Sequence, residues 1–166
     1  MKDCSQNICI KCGLCCDGTL FSYAYLKDSE TLTSPYLFRT FILQEGRKAF
    51  KLPCCYLKDK KCSIYNNRPY SICAEFKCKL LNAVENGETT YSDAIAIVDE
   101  TITLKEKVEL KLSQRFPQLI SESLNTQKKD FDDIYKSAAN SRDFRKENGD
   151  ILIDIMSLNK SLSSFV

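Results

Sequence analysis

Cys9-Ile10-Lys11-Cys12-Gly13-Leu14-Cys15-Cys16 places four thiols within eight positions, at i, i+3, i+6 and i+7. Two residues between thiols let the backbone curl so that both sulfurs face one ion while nearby N–H groups point at the same sulfurs. This is how short loops bind metals. Gly13 inside the run and Gly18 just behind it permit the tight turns such a loop needs. All ten cysteines (4, 9, 12, 15, 16, 54, 55, 62, 73 and 78) fall in the first 78 residues. The expected fold is therefore α+β: a loop-rich N-terminal cysteine-cluster domain with little regular structure over residues 1–85, packed on a mainly helical extension over residues 86–166.

Composition removes the rival readings. Ten cysteines in a secreted chain would suggest five disulfides, but MKDCSQNICIKC holds no apolar run of the 7–15 residues a signal peptide uses. No later stretch approaches the roughly 18 apolar residues of a membrane span. The cytoplasm is the expected compartment, where thiols stay reduced. The adjacent pairs Cys15-Cys16 and Cys54-Cys55 are also poor disulfide partners for each other, because a vicinal bridge strains the intervening peptide. Histidine is absent, which removes the usual general base, mixed Cys/His zinc sites and Rieske-type centres. The site is then all-thiolate, or thiolate completed by carboxylate or water. Net charge is +2, with residues 1–90 at +4 from 13 basic and 9 acidic side chains and the rest at −2 from 11 and 13. No basic surface calls for nucleic acid, and neither nucleic acid nor membrane is expected as a partner.

Outward from the cysteine run, Phe21, Tyr23 and Tyr25 share one face at period two, which predicts a short strand within residues 19–26. Residues 36–49 are ambiguous between strand and amphipathic helix, with a break at Gly46. Asn66-Asn67-Arg68-Pro69 reads as a turn into a helix capped by Asn67, on which Ile72, Phe76, Leu80 and Ala83 make one buried stripe. On an unbroken helix Cys73 and Cys78 would stand roughly 140° apart, too far round to share one ion easily. Asn86-Gly87 marks a boundary. Beyond it Leu104, Val108, Leu112 and Phe116 repeat at helical spacing up to Pro117, as do Phe131, Ile134, Tyr135 and Ala138, and then Leu152, Ile155, Met156 and Leu162. These stripes predict core or partner-binding faces. Asp130, Asp132 and Asp133 lack the pattern of a calcium loop and read as a solvated helix start.

Cys9-x2-Cys12-Gly13-x-Cys15-Cys16, followed by Cys55-x6-Cys62-Ser63-Ile64-Tyr65-x2-Arg68-Pro69-x3-Cys73-x4-Cys78, closely resembles the CxxCxxCC family, a zinc- or iron-chelating cysteine-cluster domain. The likeness covers residues 9–82 and includes Asp17-Gly18-Thr19-Leu20-Phe21. It departs from the family in having Cys-Tyr-Leu where Cys-Pro-Phe-Leu is usual, in an extra Cys54 and in a lone Cys4. One enzymatic branch, the flagellin lysine methylases, resembles this domain and carries an iron-sulfur cluster, but its chains are much longer.

The resemblance implies Cys9, Cys12, Cys15, Cys16, Cys55, Cys62, Cys73 and Cys78 as metal ligands, with Cys4 and Cys54 as spares. It also gives Arg68 a place beside the thiolates, offsetting their negative charge, against the plainer reading of a surface arginine or a salt bridge to Asp17. Tyr65 either donates its hydroxyl to a sulfur or simply packs. Eight thiolates satisfy two Cys4 zinc ions, two iron-sulfur clusters, or one of each. The expected cofactor is an iron-sulfur cluster of 4Fe-4S type, with zinc as the alternative. The expected role is electron transfer or an accessory part in maturation, with a protein partner. The alternatives are a zinc-stabilised interaction module or a small enzyme related to the methylases, although no cofactor loop or nucleophile motif supports catalysis.

Overall fold

The computed structural model describes residues 4–119, 123–138 and 142–166, without the side chains of residues 4–7. The fold is α+β: among the described residues helix predominates, with two small antiparallel sheets. The first cysteines lie on a helix, α1 (Cys4–Cys12), where a loop was expected. It stops at Gly13, whose φ of +64° lets its N–H return to the Cys9 carbonyl at 3.1 Å. Cys9 and Cys12, three positions apart on α1, thus share a face.

The predicted strand is real but short: β1 (Tyr23–Tyr25). The ambiguous segment divides. Pro35 opens a single helical turn, α2 (Pro35–Phe38), and the chain then folds back as a hairpin of β2 (Phe41–Gln44) and β3 (Arg47–Lys51). Glu45 and Gly46, both at positive φ, make the turn. The antiparallel sheet has the order β1-β3-β2, with Tyr23 opposite Lys51 and Phe41 opposite Phe50. A second hairpin, β4 (Leu57–Lys58) and β5 (Lys61–Cys62), turns on Asp59 and Lys60, again both at positive φ.

The stripe from Ile72 to Ala83 is two helices instead of one. Helix α3 (Ser71–Glu75) ends at Phe76, whose ψ of 126° is extended, and α4 (Lys79–Glu85) starts after Cys78. Tyr70 precedes α3, while Asn67 lies in a 3-10 turn over Tyr65–Asn67. The long helix α5 (Tyr91–Arg115) starts on Thr90, whose hydroxyl accepts the Asp93 N–H, and stops before Pro117. Helices α6 (Leu124–Ser137) and α7 (Arg142–Leu162) follow. Asp132 on α6 pairs with Lys136 one turn on, in keeping with a solvated face.

Two cores form. The helical core gathers Ile8, Leu14, Leu80, Val98, Val108, Leu112, Phe131, Ile151, Leu158 and Phe165 among others, so it draws on both ends of the chain. The smaller core lies under the sheet: Leu26, Leu32, Leu37, Phe50, Leu52 and Tyr70. Met156, placed on the α7 stripe, is 62% exposed, while Asp154 is buried, paired with Lys107 and Lys111 of α5 at 2.7 and 2.6 Å. A helix face that must receive lysines from its neighbour is not purely apolar, and an apolar periodicity alone misses that.

Candidate metal centre

A cavity of about 350 Å³ opens between the two cores. Its wall holds eight cysteines, Cys9, Cys12, Cys15, Cys16, Cys54, Cys62, Cys73 and Cys78, among mainly apolar side chains that include Phe21, Leu37, Phe50 and Phe165. Helix α1 supplies Cys9 and Cys12, and the Gly13 turn presents Cys15 and Cys16. The β4-β5 hairpin supplies Cys62, α3 supplies Cys73, and the start of α4 supplies Cys78. Gly13 is required here twice over. Besides its positive φ, a Cβ at this position would lie 3.2 Å from the Lys60 carbonyl oxygen, so the first cysteine turn seats directly on the second hairpin.

Seven of the eight residues that the resemblance points to line this cavity. Cys55 does not. It is exposed, whereas its neighbour Cys54 lines the cavity, with its N–H on the Cys16 carbonyl at 2.8 Å. Consecutive side chains leave the backbone in different directions, so this anchor turns one thiol of the pair inward and the other out. The side chain of Cys4 lies outside the described residues. No disulfide joins the described cysteines, all of which are free thiols.

Burial sets the chemistry. Desolvation pushes Cys12, Cys16 and Cys54 up to about 12 and Cys73 up to about 11, with Cys15 higher still. Cys9 and Cys78 are raised by the same cause. Thiolate in such a place needs positive charge beside it, and a soft metal supplies it while displacing the protons. Some compensation is built in. The Leu14 N–H donates to Cys12 and the Tyr56 N–H to Cys54, both favouring the thiolate, as expected of a metal loop.

Arg68 lies in the cavity wall, its guanidinium 4.1 Å from the Tyr65 ring centre and its Nη1 donating to the Cys73 carbonyl at 2.7 Å. Its charge favours the thiolates of both Cys9 and Cys73. Tyr65 hydrogen-bonds the Cys9 sulfur. Asp17 is not its partner. That carboxylate accepts the Thr19 N–H at 2.9 Å and meets Lys105 at 3.4 Å, tying the cysteine turn to α5.

The donor set fits a thiophilic metal group: eight sulfurs, a mainly apolar wall, and Lys60 and Arg68 as cations in that wall. A family model, CxxCxxCC, described as "Putative zinc- or iron-chelating domain", matches residues 8–108. The chain belongs to the CxxCxxCC family. The match reaches past the cysteines into α5, whose Val108 belongs to the helical core against which α1 and α4 pack. A chelating cysteine cluster is thus the shared property of the CxxCxxCC domain and this cavity. No curated protein and no solved structure matches the chain. Among the described residues, no helix is long and apolar enough to cross a membrane.

Proposed function

We propose that the cavity binds iron-sulfur cluster of 4Fe-4S type through cysteine thiolates, and that the protein serves electron transfer or the maturation of a partner protein in the cytoplasm. The observation that carries this reading is the spread of the donors. Zinc at about 2.3 Å from each of four sulfurs would draw those sulfurs to about 3.8 Å from one another. Among the described residues, no three Cys, Asp or Glu side chains converge closely enough to hold one ion, yet eight thiols line a common cavity of about 350 Å³. A four-iron cluster carries one thiolate per iron at the corners of a wider body, and suits such a spread better.

When bound, the group would supply one-electron chemistry. The chain's own part is to hold the thiolates, exclude water with Phe21, Phe50 and Phe165, and place Arg68 against the negative charge. A protein partner belongs to the same reading and is supported by Tyr36, Phe38 and Leu43, all at least 60% exposed, on the segment whose Leu37 lines the cavity. Zinc remains the second reading, since all-thiolate donors also suit it. Anaerobic purification followed by visible absorption and elemental analysis tests the choice. The expected protein is brown, with iron and acid-labile sulfide in similar amounts. A colourless protein holding zinc replaces the cluster with the zinc reading, and one that binds neither metal removes both.

A further inference from the structure

Resting on the metal-binding reading above, we propose that the eight cavity thiols form two separate four-thiolate sites: Cys9, Cys12, Cys15 and Cys78 in one, and Cys16, Cys54, Cys62 and Cys73 in the other. Cys55 stands outside both, and Cys54 takes the place that the motif spacing gives it.

Three independent observations divide the thiols in this way. The first is packing: Cys9, Cys12 and Cys78 lie against the helical core, and Cys54 and Cys73 against the sheet core. The second is the backbone. Helix α1 packs on α4, which carries the shared face of Cys9 and Cys12 toward Cys78. On the other side, the Cys54 N–H to Cys16 carbonyl bond at 2.8 Å clamps those two residues together. The break at Phe76 between α3 and α4 is what allows Cys73 and Cys78, five residues apart, to serve different cores.

The third observation is the β4-β5 hairpin: the Leu57 N–H reaches the Cys54 carbonyl at 2.9 Å and Leu57 stands opposite Cys62, which brings Cys62 to Cys54. Cys15 is the fourth thiol of the first group, and the chain joins the two groups at the consecutive pair Cys15 and Cys16. Each group has four thiols, the number that a four-iron cluster takes. The doubled cysteine ending the first motif thus acts as a splitter, one sulfur turned to each centre, with Arg68 between Cys9 of one and Cys73 of the other.

The test is metal content per chain in the full-length protein after anaerobic reconstitution. Cys55→Ala is expected to keep the wild-type content and Cys54→Ala to lose half. The pair Cys62→Ala with Cys73→Ala, from one site, should also lose half. Cys73→Ala with Cys78→Ala, one from each site, should lose all of it. Far-UV circular dichroism checks that helix is retained. Iodoacetamide labelling of the loaded wild type, read by tandem mass spectrometry, needs no variant: Cys55 should label and Cys54 should be protected. Labelling of Cys54 with protection of Cys55 overturns the assignment. A same-site double variant that keeps its helix but loses all metal overturns the division, as does a cross-site double variant that keeps half. A wild type that binds no metal overturns the metal reading as well, so the two failures are distinguishable.

Discussion

Lys128 is 7% exposed inside the helical half, with its Nζ donating to Asn159 Oδ1 at 2.8 Å. Burial, with a smaller push from Lys129, lowers its pKa from 10.5 to about 8. At pH 7 the folded chain therefore carries a charged amine in a poorly solvated place, at a cost of about 3 kcal/mol. The sign follows from proton counting. Below pH 8 both states hold the proton and the cost is constant. Between about 8 and 10.5 the folded state sheds it while the unfolded state keeps it, so this group makes stability rise with pH across that window. Lys128→Met removes the charge and keeps an apolar body of similar reach. After about 1 kcal/mol for the lost hydrogen bond to Asn159, the variant should be more stable at pH 7 by about 2 kcal/mol. The assay is urea unfolding of both proteins, metal-free and reduced, from pH 7 to 10. The buried thiols titrate in the opposite sense: their raised folded pKa values make stability fall as pH climbs through the unfolded thiol value. Both proteins share that fall, so the difference between them isolates Lys128. A difference that stays constant from pH 7 to 10, or a variant less stable at pH 7, would refute the argument.

Three further outcomes are expected. Gly13→Ala forces a side chain into positive φ and against the Lys60 carbonyl; it should cost roughly 1–3 kcal/mol in chemical denaturation and weaken metal retention, whereas Gly87→Ala, with open space around it, should pay only the backbone part. Asp154→Ala takes a carboxylate from Lys107 and from Lys111, which keeps Asp150, and should cost about 1 kcal/mol. Although burial alone would raise the Asp154 pKa, the two lysines lower it overall, so the wild-type contribution should fade as pH drops below about 4, an acid loss that the variant lacks in the same unfolding assay. Arg68→Met should speed metal loss to a chelator by about 10- to 100-fold, with helix content unchanged; an unaltered rate would leave Arg68 with no part beside holding the Cys73 carbonyl.

What the sequence disclosed and what it hid divide along physical lines. The long helical repeat from Leu104 to Phe116 was legible because its apolar positions share one face, with Val108, Leu112 and Phe116 buried, and Pro117 ends it. The metal-binding character was legible because thiol spacing is a local property of the chain. Ile72, Phe76, Leu80 and Ala83 misled, since a periodic stripe does not register a break at one extended residue, and Phe76 is 37% exposed. The choice between Cys54 and Cys55 was beyond reading in the letters alone: the two are chemically identical neighbours, and only the hydrogen bond to the distant Cys16 carbonyl tells them apart. The turn at Asp59 and Lys60 was equally silent, because neither residue is the glycine or asparagine that usually announces positive φ.

Phe165 is 1% exposed, lines the cavity, and accepts the Lys79 N–H through its carbonyl at 3.0 Å. A ribosome makes this wall long after the thiols it covers. Between Cys78 and Phe165 it must add about 90 residues, on the order of ten seconds of synthesis. Throughout that interval the nascent chain offers all its cysteines without the side chain that later closes over them. Metal bound in the folded protein should therefore exchange slowly, through the opening of the segment that carries Phe165.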